Sequence, residues 1–368
     1  MSTISGVAGA NHAQRLGRAR RLAAEAGLAG LYVTAGANFR WLTGESAHPG
    51  GWPLWLSAVL VPIEGEPAMV VSEMHARIFD LDRSPVRAVF TYIDGQDPAS
   101  AVQSAVAAAG LGAADVGAED SLWFADAEFL RGSAPGVRLR RASLVFDRLR
   151  AVKDAFELEQ LRIAAGAHDA GYRRALEVLR PGVTVAEAGS EIIRAMVEAG
   201  SEELSIAGAF HHLTDRRFEP GEIVDVDLFP GSHGGYRADT ARNVFLGEPT
   251  AEAQRLYEAT LHAYDAAVAA VRPGVTAESI HHACAAAMAA AGYEQIWKVG
   301  HGVGLGEAHE PPLLQLGNTD PVEEGMVFTI DPGAFIARDT PIHIEDTVVV
   351  TAEGCEALNT FTRELQAV

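Results

Sequence analysis

An acidic hairpin pattern that occurs twice constrains this chain more than any other feature. The first copy lies at 219–242, EPGEIVDVDLFPGSHGGYRADTAR, where residues 223–228 alternate apolar and acidic side chains as a half-buried strand does. A Gly-rich loop follows, and a second strand is predicted over 236–245. The hairpin would bring Asp227 and Asp239 side by side. Two carboxylates held this close repel each other unless a proton or a cation lies between them.

The second copy lies near the end of the chain. Its first strand and turn, EEGMVFTIDPGAF at 323–335, match the first copy in outline, so that Asp331 corresponds to Asp227. Further on, HIEDT resembles RADT, and Glu345 corresponds to Asp239. The sequence therefore predicts two hairpins that each supply one pair of carboxylates.

A second repeated motif precedes the hairpins. The sequence RPGVT occurs at 180–184 and again at 272–276, each time followed by an Ala-rich helical segment that ends in Ala-Gly. Two copies are too few for a solenoid. We therefore predict a pseudo-twofold domain in which both halves contribute carboxylates to a shared centre.

Length and composition favour an ordinary globular protein with two domains. The chain has 368 residues, of which 48% are hydrophobic and 21% charged. Its formal net charge of −20 argues against nucleic acid or an anionic membrane as a partner.

Cysteine usage and the N-terminal residues favour a cytoplasmic location. Cys284 and Cys355 are far apart and lack CxxC spacing, so we expect buried or incidental thiols in a reducing compartment. The first 27 residues contain no apolar signal core, and no run approaches the ~18 apolar residues of a membrane span.

The N-terminal part, residues 1–148, reads as an α/β domain. Helical periodicity at 13–26 is followed by short apolar strands, and a further helix is expected at 99–110. Between the first two strands, the stretch 38–55 holds three tryptophans among Gly and Pro. These form either an aromatic pocket wall or interface patch, or simple packing beneath a loop.

The second domain is assigned to residues 149–368 and contains more helix. A long helix is predicted from Ala155 to Leu179, and the pattern Thr184-x-x-Glu187 is a capping box that starts the next helix. Both acidic hairpins lie in this part of the chain.

Several histidines lie near the hairpins in sequence. His301 stands in GHGVGLG, where flanking glycines would let a ligand approach the backbone. A phosphate-cradling loop is the rival interpretation, but the spacing fits neither G-x-G-x-x-G nor a P-loop. We interpret His301 as a metal ligand. His309, and one of His211 and His212, are candidates for the same site.

These motifs resemble the pita-bread metallopeptidases, which include Xaa-Pro dipeptidase (prolidase), aminopeptidase P and methionine aminopeptidase, with creatinase as a metal-free relative. The resemblance covers residue 150 to the end, and NFRWLTG at 38–44 resembles the creatinase/prolidase N-terminal domain. It implies a pseudo-twofold α+β catalytic domain behind an α/β N-terminal domain.

The resemblance also implies the site. The family's metal ligands fall on five residues: Asp227, Asp239, His301, Asp331 and Glu345. They would hold two divalent cations, with manganese expected first and cobalt, zinc or iron as alternatives, which activate water and polarise a scissile carbonyl. The catalytic assignments are Glu345 as a bridging ligand, and His309 with His211 or His212 for substrate binding and proton transfer.

Some residues depart from the prolidase pattern. Asp331 stands where the family has Glu, Phe335 where Tyr is usual, and His343 where Arg is usual; Ala241 and Asn243 replace two Thr. The loops 228–238 and 302–308 are about one residue longer. These changes affect groups that tune the ligands, and therefore leave proline specificity open.

The implied function is hydrolysis of an amide bond in a small substrate, either an Xaa-Pro dipeptide or the first bond of an Xaa-Pro peptide. The alternatives are a relative that acts on a non-peptide small molecule, in the manner of creatinase or a compatible-solute hydrolase or lyase, and an inactive binding module. The family resemblance further implies a homodimer in which the 41–55 stretch helps to select the substrate.

Overall fold

The computed structural model describes residues 11–47, 55–306, 309–338 and 340–368. Within these ranges the chain forms two compact units that meet in sequence between Arg150 and Ala151.

The first unit is built on one mixed six-stranded sheet with strand order β4-β3-β2-β1-β5-β6. Its strands are β1 (Gly30–Thr34), β2 (Ala58–Pro62), β3 (Ala68–Ser72), β4 (Ala88–Tyr92), β5 (Asp115–Ala118) and β6 (Arg138–Arg141). Its helices are α1 (His12–Glu25), α2 (Ala37–Thr43), α3 (Glu73–Ile78), α4 (Ala99–Ala108), α5 (Phe124–Ser133) and α6 (Ser143–Ala151), the last of which runs into the junction.

The tryptophan-rich stretch of this unit is partly helical. Trp41 lies on α2, is 2% exposed, and has the Arg15 guanidinium 4.9 Å from its ring centroid. Trp41 therefore packs within the unit and does not line an open pocket. Residues 48–54, which include Trp52, lie outside the described residues, so the predicted role of this stretch in substrate selection stays a prediction.

The second unit follows the repeat seen in the sequence. Its helices are α7 (Ala155–Val178), α8 (Val185–Glu198), α9 (Ala251–Ala270) and α10 (Ala277–Ala290). Its strands are β7 (Ile223–Asp227), β8 (Ser232–His233), β9 (Tyr236–Arg237), β10 (Ala241–Phe245), β11 (Gly300–Gly302), β12 (Glu310–Leu314), β13 (Val327–Ile330), β14 (Gly333–Ala337), β15 (Thr340–His343), β16 (Asp346–Val350), β17 (Cys355–Ala357) and β18 (Gln366–Ala367).

Local sequence explains where the helices begin. Asp154 and Glu157 form a capping box at the start of α7, and Thr184 and Glu187 form the predicted one at α8. Thr276 caps α10 by accepting a hydrogen bond from the Ser279 backbone. The helices of each half contact one another as pairs, α7 with α8 and α9 with α10.

The two halves share the same backbone hydrogen bonds. In the first half, Gly182 N donates to Phe218 O; in the second, Gly274 N donates to Val322 O. Both glycines have φ near +90°, a value that L side chains rarely adopt, which explains why RPGVT is repeated. The repeat in the sequence is therefore a repeat in the structure.

Two separate sheets carry the hairpins and meet at one bridge. Strands β7 and β10 of the first half form a sheet with β18 from the end of the chain, in the order β18-β10-β7, and the second half forms β12-β11-β13-β16-β17. Ala241 of β10 and Glu345 form an antiparallel bridge between them, which places the ends of both hairpins together.

The predicted continuous strand over 236–245 is wrong. It is divided into β9 and β10, with residues 238–240 between them outside both strands. The physical reason is that Thr347, on the other hairpin, hydrogen-bonds both backbone groups of Asp239 and thereby satisfies them away from the ladder.

Cys284 is buried on α10 and Cys355 is half-buried on β17, and neither forms a disulfide. Across the described ranges, no helix has the length and apolar character required to cross a membrane.

Candidate metal centre

Three carboxylates from both halves converge at the bridge between the sheets. Asp227 ends β7, Asp239 lies between β9 and β10, and Glu345 lies between β15 and β16. Each offers an oxygen that lies within 4.8 Å of the others. The structure therefore brings both carboxylates of the first hairpin and Glu345 of the second into one cluster.

Backbone and hydroxyl contacts fix the cluster in place. The Thr347 hydroxyl donates to Asp239 O at 2.8 Å and accepts from Asp239 N at 3.0 Å. Asp227 Oδ1 accepts a hydrogen bond from Phe229 N at 3.1 Å. The Ala241–Glu345 bridge holds the backbone of Glu345 through bonds of 3.0 and 3.2 Å. These bonds hold the backbone of Asp239 and Glu345, and one carboxylate oxygen of Asp227, in place.

His301 lies on β11 and joins the same cluster. Its Nε2 atom is 3.4 Å from Glu345 Oε1 and 3.6 Å from Asp239 Oδ2, and the side chain is almost fully buried. A Cβ at Gly300 would lie 1.9 Å from Thr329 O, and one at Gly302 would lie 2.1 Å from Pro311 O. The flanking glycines are thus required by the close approach of neighbouring strands, and their opening of the backbone to a ligand stays a prediction.

Asp331 follows β13 and is contacted by His343 at the end of β15. His343 Nδ1 lies 3.1 Å from Asp331 Oδ1, and His343 Nε2 lies 2.8 Å from Asp225 Oδ1. Asp331, His343 and Glu345 also form a group whose ligand atoms lie within 4.8 Å of one another. Glu345 therefore links the Asp331 side of the site to the Asp239 side.

His309 is exposed and lies against His301. The two ring centroids are 4.1 Å apart, and one His309 nitrogen lies within 4.8 Å of ligand atoms of Asp239 and His301. Lys298 Nζ is 3.0 Å from His309 Nδ1. An ammonium group only donates, so Nδ1 accepts and the neutral ring carries its proton on Nε2.

His211 and His212 are not part of this cluster. Both are exposed, in the turn that follows the short 3₁₀ helix Gly208–Phe210, and their rings contact each other at 4.6 Å. Within the part of the chain that the structure describes, neither joins a group of candidate metal ligands. Their role in substrate binding stays a prediction.

The proximity of so many acids raises the pKa values of several of them. Burial, and next the charge of Glu345, raise the pKa of Asp227 to about 8 and that of Asp331 to about 7. The same causes raise the pKa of Asp239 well above its ordinary value. These carboxyls would hold protons near neutral pH unless a cation replaced them.

Glu345 is the exception among the acids. Burial alone would raise its pKa, but the His301 imidazole, whose Nε2 lies 3.4 Å from Glu345 Oε1, and the charge of His343 lower it. Partial burial of the ring against the site, and next the charge of His301, lower the pKa of His309 to about 4, so that this imidazole is neutral at physiological pH.

The donor set fits divalent cations. Asp239 Oδ1 and Glu345 Oε1 are buried and make no hydrogen bond within the described structure, which is unfavourable for polar atoms unless another partner is supplied. Carboxylate oxygens with one or two imidazole nitrogens suit manganese, iron, cobalt or zinc. The buried oxygens therefore point to a metal centre.

Two further residues contact this centre: Asp225, which the sequence pattern had not singled out, and His343, which it marked only as a departure from the family pattern. Asp225 lies two residues before Asp227, and His343 lies two residues before Glu345. Residues two apart on a strand share a face, so the alternation in β7 that identified Asp227 could also have indicated Asp225.

Comparison with known proteins identifies the family. Residues 159–352 match metallopeptidase family M24, and residues 15–152 match the creatinase/prolidase N-terminal domain. The predicted resemblance and the predicted combination of an α/β N-terminal domain with a pita-bread domain are confirmed.

Two relatives cover nearly the whole chain. The probable dipeptidase PepE of Mycobacterium bovis is 32% identical over 96% of this chain and 96% of its own length. The crystal structure of dipeptidase PepE from Mycobacterium ulcerans is 34% identical, has a TM-score of 0.86, and covers 97% of this chain and 98% of that chain.

A third relative is the Xaa-Pro dipeptidase of Lactobacillus helveticus, which is 30% identical over 76% of this chain and 80% of its own length. The chain described here therefore belongs to metallopeptidase family M24 and is a metal-dependent peptidase that carries a creatinase/prolidase N-terminal domain.

Proposed function

We propose that this protein is a dinuclear metal-dependent dipeptidase whose first substrate class to test is the Xaa-Pro dipeptide. The observation that carries this proposal is the buried cluster from both halves of the repeat, in which Asp239 Oδ1 and Glu345 Oε1 have no hydrogen-bond partner among the described residues. Five residues would hold two divalent cations, with manganese as the first candidate and cobalt, zinc or iron as alternatives: Asp227, Asp239, His301, Asp331 and Glu345.

The bound cations would activate water and polarise the scissile carbonyl. The protein's own groups would orient the substrate and manage protons around that carbonyl. His309 is suited to donate a hydrogen bond from Nε2–H to a substrate oxygen, because Lys298 occupies its Nδ1 and the ring is neutral. His211 or His212 is proposed as a second contact to the substrate.

An aromatic surface beside Asp331 would bind an apolar part of the substrate. Trp297 donates from Nε1 to Asp331 O at 3.0 Å, and its ring meets Phe335 edge-on at a centroid distance of 5.7 Å. Phe335 is 46% exposed, and neighbouring Ile296 is 62% exposed. Apolar area open to solvent next to a polar centre suits a proline ring or another compact apolar side chain.

The dipeptide assignment is also supported by the names of relatives that match the chain over most of its length, a probable dipeptidase and an Xaa-Pro dipeptidase. We further propose a catalytic domain at 149–368 behind an N-terminal domain at 1–148, a homodimer, and a cytoplasmic location. Light scattering after size-exclusion chromatography tests the dimer: a mass near 78 kDa supports it, since one chain has a mass of 38.9 kDa, and a mass near that of one chain contradicts it.

The test is a hydrolysis panel with manganese-loaded and chelated protein. We expect Xaa-Pro dipeptides to be cleaved by the loaded protein, with tripeptides Xaa-Pro-Xaa and dipeptides without proline cleaved more slowly, and Asp239→Asn to abolish turnover. Cleavage of tripeptides in preference to dipeptides would contradict the dipeptidase assignment. Turnover of non-peptide amides alone would contradict the peptidase substrate.

A further inference from the structure

The backbone of Asp331 is held by hydrogen bonds, but these bonds do not fix the orientation of its carboxylate. Its backbone N–H donates to Val299 O at 2.6 Å, and its carbonyl accepts from Trp297 Nε1. These bonds set the position of Cα, while the carboxylate can still rotate about two torsions. A ligand oxygen has to be held in one orientation for a metal to be bound tightly.

His343 supplies that contact. Its Nδ1 atom is 3.1 Å from Asp331 Oδ1, and the ring is held on its other side because Nε2 lies 2.8 Å from Asp225 Oδ1. The three side chains are 12%, 20% and 16% exposed for His343, Asp225 and Asp331, respectively, so water competes little for these bonds.

The backbone of His343 is also anchored from the first half of the repeat. Asn243 on β10 accepts a hydrogen bond from His343 N at 2.9 Å and donates to Pro341 O at 3.0 Å. The ring therefore starts from a fixed backbone, and Asp225 then selects its rotation. Residues of β7, β10 and β15 converge on the orientation of one carboxylate.

We propose that His343, oriented by Asp225, is a positioning residue that fixes the Asp331 carboxylate in its metal-binding orientation. The inference rests on the proposed metal centre and assigns it a support that joins both halves of the domain.

Direct coordination of a cation by His343 is the competing role, and the contacts favour positioning. Both His343 nitrogens already have a carboxylate partner. The buried site oxygens without a hydrogen bond in the described structure belong instead to Asp239 and Glu345. Atoms that lack a partner are the ones that a cation would satisfy.

The experiment is calorimetric titration of manganese into metal-free protein. The variants are His343→Gln, Asp225→Ala, Asp225→Asn and the double variant His343→Gln with Asp225→Ala. His281→Gln is the matched control, because His281 is also a buried histidine of this unit and lies outside the groups of candidate ligands among the described residues. Thermal unfolding verifies that each variant is folded.

We expect His343→Gln and Asp225→Ala each to lower the affinity for one of the two manganese ions by about 10- to 100-fold. The number of ions bound at saturation should stay the same. Asp225→Asn, which keeps an acceptor oxygen, should restore much of the affinity. The manganese affinity of the double variant should be at most about threefold lower than that of His343→Gln, because Asp225 acts through His343. His281→Gln should bind as the wild type does.

Unchanged affinity in the single variants, or additive losses in the double variant, would overturn the positioning role. The proposed function would still stand in that case if the wild type binds two ions. Cobalt absorption spectra add a second criterion. Band positions that are the same in wild type and His343→Gln support positioning, and a shift that reports loss of a nitrogen ligand overturns it. Absence of any wild-type binding would contradict the proposed function itself.

Discussion

Ala241 and Glu345 exchange both of their backbone hydrogen bonds and thereby join the two sheets of the second unit. Ala241 N donates to Glu345 O at 3.2 Å, and Glu345 N donates to Ala241 O at 3.0 Å. Ala241 begins β10, and Glu345 immediately precedes β16. The bridge therefore joins equivalent points of the two repeats. The carboxylates gather there because the bridge brings those two points together.

The support of Asp239 by Thr347 predicts a metal-binding defect at a residue that holds no metal. Thr347→Val preserves shape but removes the hydroxyl that bonds both Asp239 N and O. We expect a loss of about 1–3 kcal/mol in the free energy of unfolding and weaker manganese binding, because two buried backbone groups lose their partner. Thr347→Ser, which keeps the hydroxyl, is the control. Equal behaviour of the Val and Ser variants in denaturation and titration would contradict this role.

A buried ion pair stabilises the same bridge. Arg242 Nη2 lies 2.7 Å from Asp346 Oδ1, and Arg242 Nη1 donates to the carbonyls of Ala241 and Glu345, each at 2.8 Å. Arg242→Met should lower the free energy of unfolding by about 3–5 kcal/mol, since it leaves Asp346 with less compensation for its buried charge. Chemical denaturation measures the loss. Arg162 forms an exposed ion pair with Glu356, so Arg162→Met should lower the free energy of unfolding by less than about 1 kcal/mol. A similar loss in both variants would contradict the larger role of the buried pair.

The acidic cluster predicts how the stability of metal-free protein depends on pH. The pKa of Asp227 is raised to about 8 and that of Asp331 to about 7, chiefly by burial, so the folded state binds more protons than the unfolded state between about pH 4 and these values. Stability therefore falls as pH rises through this window. Chelated protein should melt at a lower temperature at pH 8 than at pH 6, and manganese should stabilise it more at pH 8.

Asp227→Asn is the control for that dependence. It removes one of the raised pKa values, so its melting temperature without metal should change less between pH 6 and pH 8 than that of the wild type. Parallel curves for the two proteins would show that Asp227 does not cause the effect.

Lys298 predicts a catalytic effect without a change in metal content. Lys298→Met removes the donor to His309 Nδ1 and leaves the proton free to occupy either ring nitrogen. We expect kcat to fall by about 10-fold or more with the number of bound ions unchanged. Lys298→Arg retains a donor and should retain more activity. Loss of metal together with activity would instead place Lys298 in the support of the metal centre.

Much of the second unit could be predicted because its signals are local. The capping residues Thr184 and Glu187 and the repeated RPGVT motif act within a few residues, and the duplicated pattern specifies where Asp227 and Glu345 lie relative to their hairpins. The division of the strand at 238–240 could not be predicted in this way. It depends on Thr347, which is more than a hundred residues away along the chain.

The contacts of His343 were beyond sequence reasoning for the same reason. Its partner Asp225 is 118 residues away, and their contact exists because the fold packs β15 against β7. The substitution of His for the family's usual Arg at this position could be seen in the sequence. Its consequence required the geometry.

We propose that residues of both halves form one centre for two divalent cations. The most direct measurement is metal content per chain by plasma mass spectrometry after manganese reconstitution and desalting, with Glu345→Gln as the matched variant. Glu345 offers ligand oxygens to both sides of the site. We predict about two ions per chain in the wild type and a clear loss in the variant; a wild-type content of none, or a content that Glu345→Gln leaves unchanged, would contradict the account.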